Sequence, residues 1–317
     1  MKSNKKMEKW FDKKLEKRNL RKYTMRRLKD YNNNPDKNKF NAINSIPRKL
    51  SITNWLIIIN IIVYILLVSF RVLDILTENK LLSIFALQAK AFFSGAYWTL
   101  LTSMFSHIWL PHLLFNMISL FFIGNFLERI IGRKKFLWFY LISGIFAGFF
   151  YSTLSFYFGA TEIGSRIFIN PDSYSVGASG AIFGLAGLLA VLTPFMRVYL
   201  IAGPIFALII QAVIKNIFPT SEILSIIDLF IMIYIFLSIF SIFSFNPTIR
   251  KLAVPLGMPF WILPIFAIFP LIIVGLLVQL PIGNTAHLGG LIVGIFYGIY
   301  LKNKYKRKTE MIKTYFR

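Results

Sequence analysis

The 317-residue chain contains no cysteine, which excludes disulfides, thiol nucleophiles and thiolate metal sites. Acidic residues are scarce as well: 13 Asp and Glu stand against 36 Lys and Arg, for a formal net charge of +23. Too few acids fall within the apolar runs to support ion-coupled transport, which relies on intramembrane carboxylates. Histidine occurs only at His107, His112 and His287. These three lack the HExxH spacing or close carboxylate that would mark a zinc peptidase. No metal ion and no other cofactor is expected.

Apolar residues are abundant. They make up 56% of the chain, the mean hydropathy is +0.63, and several runs reach the ~20 residues needed to cross ~30 Å of hydrocarbon. The expectation is an all-α polytopic membrane protein. No cleavable signal peptide is evident before the first long apolar run, which begins near Ile52. The charge is concentrated at the ends: residues 1–50 carry 17 Lys and Arg and residues 302–317 carry seven, together 24 of the 36. Basic flanks of this kind predict cytoplasmic termini and contact with anionic lipid. Without a recognition motif they do not predict a nucleic-acid partner.

Eight candidate spans follow from hydropathy: Thr53–Phe70, Leu110–Leu127, Phe136–Phe158, Val176–Leu192, Val198–Phe218, Ile223–Phe245, Pro259–Leu280 and Thr285–Leu301. A long amphipathic connection, Arg71–Pro111, separates the first two. With both tails inside, Arg129, Arg133, Lys134, Lys135, Arg197, Arg250 and Lys251 all fall on inner connections, as the positive-inside bias requires. The organisation expected is a basic cytoplasmic segment 1–50, a membrane domain 51–301 and a basic cytoplasmic tail 302–317. In the last span Gly290, Gly294 and Gly298 recur every four residues, so one helix face admits close approach of another backbone.

That topology brings polar residues from distant parts of the chain to one depth. His112 and Asn116, four apart, share a helix face near the outer end of the second span. Ser179 opens the fourth span and His287 the eighth, and all three helices run from outside to inside. A serine becomes a nucleophile when a neutral imidazole takes its proton, and no acid lies near His287 in sequence to complete a triad. A Ser179–His287 dyad is the economical reading. Acyl transfer also needs donors for the developing oxyanion. The His112 and Asn116 side chains and the Ser179 amide offer them, while Gly177 and Gly180 give a substrate backbone room.

The stretches HIWLPHLLFN (His107–Asn116), GASGAIFG (Gly177–Gly184) and NTAHLGGLIVG (Asn284–Gly294) resemble the motifs of rhomboid intramembrane serine proteases, in that family's order. The resemblance covers roughly Thr53–Phe195 and Pro255–Leu301. It implies Ser179 as nucleophile, His287 as general base, and His112 and Asn116 as oxyanion side chains. It also implies Gly177 and Gly180 as the glycines beside the nucleophile, and Phe183 as an aromatic against the catalytic histidine. Glu128-Arg129 matches a structural pair closing the second span. The activity implied is cofactor-free hydrolysis of a peptide bond in or beside a substrate's transmembrane helix, in the cell membrane. Two features depart from the family pattern. Trp98 is followed by Thr99 instead of arginine, and residues 198–245 form an inserted helical hairpin on a six-span core. The rival reading within the same fold is a pseudoprotease that binds transmembrane clients without cleaving them. Such relatives usually lack the serine or the histidine, and both are present here. His107 is expected to be structural or to support the catalytic groups from behind, outside the catalytic set, and Asp228, inside the hairpin, is not expected to be catalytic.

Overall fold

In a computed structural model of the protein, the described residues are 50–218, 223–277 and 283–315. The basic amino-terminal segment, residues 1–49, lies outside them. The described part is a helical membrane bundle. Five helices are long and apolar enough to cross a membrane: Ile52–Val72, Leu110–Ile131, Arg133–Phe158, Leu224–Ser241 and Asn284–Lys304. Three shorter apolar helices accompany them: Ser179–Leu192, Ala202–Ile217 and Leu263–Leu276.

Helix α1 (Ile52–Val72) starts at Ser51, whose side chain accepts the Asn54 amide. It turns Trp55, Ile62, Ile65 and Leu66 outward. Its first amides find a buried partner far along the chain. Glu128 Oε1 accepts from Ile52 N–H at 2.9 Å, and Oε2 accepts from Thr53 N–H and Oγ1–H at 2.9 and 2.8 Å. A carboxylate at a helix N-terminus satisfies orphan donors and complements the dipole. Glu128 is thus the acid that ties the second span to the first.

The connection after α1 forms α2 (Glu78–Phe85) and the two-residue strand β1 (Leu87–Gln88), then short helical turns up to Phe105. Helix α3 (Leu110–Ile131) begins with Pro111 in its first turn and carries a π-helical turn at Leu120–Gly124. Gly132, at φ 84°, breaks the chain into α4 (Arg133–Phe158), 26 residues long. After α5 (Glu162–Phe168), strand β2 (Tyr174–Ser175) pairs antiparallel with β1. Helix α6 (Ser179–Leu192) occupies the centre, with ten of its fourteen residues buried. The strand means that the fourth helix starts at Ser179, three residues later than hydropathy suggests.

Residues Arg197–Ile201 are also not helical. They form β3, which pairs antiparallel with β4 (Pro255–Pro259), Arg197 opposite Pro259 and Ile201 opposite Pro255. From this ribbon rise α7 (Ala202–Ile217) and α8 (Ile223–Ser241). Lys215 and Asp228 pin them together by an ion pair at 2.7 Å, and Gln211 Nε2 donates to Asp228 at 2.8 Å. Ala207, Ile235 and Ile239 of this pair pack against Leu114, Phe115 and Ile118 of α3. Helix α9 (Leu263–Leu277) precedes α10 (Asn284–Lys304), and α11 (Lys306–Tyr315) ends the described chain.

Glycine decides how closely α6 and α10 meet. A Cβ on Gly290 would overlap the Gly180 carbonyl oxygen, and one on Gly294 would overlap the Gly184 carbonyl oxygen. A Cβ on Gly187 would stand 2.6 Å from Leu291 O. The glycine face read from sequence is therefore matched by glycines on α6, and backbone lies directly on backbone.

Candidate active site

Ser179 is the first residue of α6 and follows a tight turn. Gly177 there adopts φ +122°, a conformation open to glycine, and its amide donates to Ser103 O at 2.8 Å. Its lack of a side chain makes room for a histidine: a Cβ would stand 2.8 Å from His112 Cε1 and Nε2. Gly180 faces elsewhere. A Cβ on it would stand 2.7 Å from Ala147 Cβ of α4, so its small size serves helix packing.

The close contact of α6 with α10 carries His287 to the serine. Ser179 Oγ and His287 Nε2 are 2.8 Å apart. Phe183, one turn below Ser179, stacks on the imidazole with ring centroids 4.4 Å apart and planes inclined by 18°. One imidazole edge thus meets the hydroxyl and one ring face is walled. His287 Nδ1 is buried and has no partner among the described residues. At this separation a neutral imidazole can take the serine proton.

His112 and Asn116 reach the site from α3. The Asn116 amide is fixed twice: Nδ2 donates to His112 O at 3.1 Å and lies 3.1 Å from His107 Nε2. The His107 and His112 rings meet edge to face at 5.0 Å. Burial, with the His112 ring beside it, pushes the His107 pKa down to about 3. The neutral ring therefore offers Nε2 as an acceptor to Asn116. All three histidines consequently converge on one site. His107 differs from His287 in touching Asn116 and not the serine. The rarity of histidine was the one available signal for it. Among the described residues no group of three or more His, Asp or Glu could hold a metal ion.

The Rhomboid domain family model matches residues 94–253, just over half of the chain. The chain belongs to the rhomboid family. It is 38% identical over 95 residues to YdcA of Bacillus subtilis, covering 30% of this chain and 41% of that one. Rhomboid protease AarA of Providencia stuartii is 35% identical over 141 residues, 43% of this chain and 49% of its own. Rhomboid protease GluP of Bacillus subtilis is 39% identical over 95 residues, covering 30% of this chain and 16% of GluP. The matched stretches span less than half of each relative.

His287 lies beyond the residues that the rhomboid model matches, so the fold, through the α6–α10 contact, brings it to Ser179. Where this rhomboid has Thr99 after Trp98, the outer loop is held by other bonds. Trp98 Nε1–H donates to Ile84 O at 3.0 Å, and Thr102 Oγ1–H to Phe85 O at 3.0 Å, both at the end of α2. Thr99 itself is buried and donates to Ala96 O. Asp228 is occupied by Lys215 and Gln211 within the hairpin.

Proposed function

We propose that this rhomboid is an intramembrane serine endopeptidase that hydrolyses a peptide bond in or beside a transmembrane helix of its substrates. One observation carries the reading: the 2.8 Å contact between Ser179 Oγ and His287 Nε2. In the first step Ser179 Oγ bonds to the scissile carbonyl carbon while His287 Nε2 takes the hydroxyl proton. The carbonyl π electrons move onto oxygen, where the His112 ring and the Ser179 N–H stabilise the charge, joined by the Asn116 amide once it releases one of its two bonds, to His107 Nε2 or His112 O. Collapse breaks the C–N bond, and the imidazolium returns its proton to the leaving amine. Water, activated by the same imidazole, then hydrolyses the acyl-serine ester. Gly177 keeps a side chain away from His112 beside this path, and Phe183 holds the base in plane.

The segment 1–50 and the tail 302–317 belong on the cytoplasmic side of the cell membrane, with residues 51–301 as the membrane domain and 198–245 as its inserted hairpin. This orientation rests on the clustering of basic residues, and anionic lipid is the partner of both tails. Cleavage of a model transmembrane substrate should vanish in Ser179→Ala while expression and folding are preserved. Undiminished cleavage by that variant would overturn the assignment and leave client binding without cleavage as the reading.

A further inference from the structure

The base has an unexplained edge. When His287 Nε2 receives the serine proton, its neutral tautomer must carry hydrogen on Nδ1, and a buried N–H without an acceptor is destabilising. His287 Nδ1 is buried and unpartnered. Among the described residues no hydrogen bond joins it to an acid, and the titratable side chain acting on it is His112, across the site on α3. The neighbours described for the ring are Ser179 and Phe183 of α6, the latter not titratable.

One turn earlier on α10 stands an acceptor in the complementary condition. Asn284 Oδ1 is also buried and, among the described residues, without a partner. Asn284 and His287 are three residues apart on one helix, so their side chains lie on one face with Cβ atoms roughly 5–6 Å apart. Neighbours at this spacing can interact, yet no direct bond joins the two side chains and each atom stays unpartnered among the described residues, an arrangement that one intervening water would complete. A water in such a place needs two to four polar partners, and a donor and an acceptor are both present.

We propose that Asn284 is the positioning residue of the base: its Oδ1 accepts, through a single water, the hydrogen on His287 Nδ1. The link fixes the tautomer that leaves Nε2 free to receive the Ser179 proton. It also supports the imidazolium formed in the first chemical step, in the place where a triad would use a carboxylate.

The inference rests on the protease reading, and the experiment keeps the two apart. Cleavage of a transmembrane substrate is measured for the full chain in detergent with Asn284→Ala, Asn284→Asp and Ser179→Ala in parallel, together with each variant's thermal midpoint. Asn284→Ala should lower kcat by about tenfold or more, with KM within about twofold of wild type, because the defect lies in proton transfer and not in substrate binding. Asn284→Asp, which keeps an acceptor at the same position, should restore most of kcat. Should Asn284→Ala not fold, Asn284→Leu fills the volume without an acceptor and carries the same expectation. Wild-type kcat in the Ala or Leu variant overturns the proposal. So does an Asp variant as impaired as they are, since a packing role would predict equal losses. If Ser179→Ala still cleaves, the protease reading itself fails.

Discussion

Replacing Gly290 by alanine should separate the serine from its base without touching either. The new Cβ would overlap the Gly180 carbonyl oxygen, standing 3.0 Å from that carbonyl carbon and 3.2 Å from Gly184 N. Carbon atoms in contact prefer about 3.5–4.0 Å, and the opposing atoms are backbone, which has no rotamer to change. Helices α6 and α10 must therefore move apart by about 1 Å at this level. Gly290 follows His287 by three residues, about 4.5 Å along the helix axis, so the shift reaches the site nearly undiminished. Starting from the observed 2.8 Å, the Oγ–Nε2 separation becomes about 3.8 Å, beyond hydrogen-bond reach. A misplacement of about 1 Å costs on the order of 100-fold in rate. The assay is kcat for a fluorescent transmembrane substrate, paired with labelling of Ser179 by a fluorophosphonate. Gly298→Ala is the control. Its Cβ meets Val191 Cβ at 2.8 Å, so the helices must part there as well, but this point lies about 16 Å along the axis from His287. It should stay within about threefold of wild type. Equal activity of Gly290→Ala and wild type would refute the view that glycine contact sets the dyad distance.

Further substitutions test the supporting structure. Glu128→Ala removes a buried acceptor from three donors of α1 and should cost roughly 2–4 kcal/mol of stability, read from denaturation in detergent, with kcat per folded molecule little changed. Glu128→Gln should recover part of that loss. His107→Ala leaves the Asn116 amide with one anchor in place of two. It should lower kcat by roughly 10- to 100-fold at similar KM, less than the loss on removing an oxyanion donor outright. Asp228→Ala breaks a partly exposed ion pair within the hairpin. Cleavage should stay within about threefold and stability within about 1 kcal/mol, whereas a catalytic acid would show a far larger fall in kcat.

The elements legible in the sequence are those governed by composition over a long window. Each of the eight segments read from hydropathy overlaps one apolar helix among the described residues, and the rhomboid motifs point to Ser179, His287, His112 and Asn116 without reference to the fold. Pairing between distant residues was not legible. Arg197–Ile201 and Pro255–Pro259 are short apolar stretches that continue into helices, and periodicity cannot separate a five-residue strand from the start of a helix. Their pairing spans the whole hairpin, so neither stretch signals the other. His107 was set aside because its role depends on Asn116 turning toward it, a choice made by the tertiary fold. Gly177 and Gly180 look equivalent in GASG, yet one clears a histidine and the other a helix. Only the direction of the absent Cβ tells them apart.

The length of α6 connects this architecture to the chemistry. Fourteen residues rise about 21 Å, some 9 Å less than the hydrocarbon core of a bilayer. The neighbouring helices α3 and α10, at 22 and 21 residues, rise over 30 Å. Ser179 therefore opens a helix about 10 Å shorter than these two neighbours. A polar hydroxyl within a membrane bundle is costly when it faces lipid, and here it meets His287 Nε2 at 2.8 Å. Ser179, His112 and His287 all lie within the first four residues of their helices, where backbone N–H groups lack intrahelical partners. Asn116 lies a turn deeper and is held through its side chain instead. Helix shortness, glycine contact and the placement of polar residues in first turns thus act together: the glycines bring two helix starts close enough for their side chains to meet, and the short helix places its start where the longer α10 can reach it.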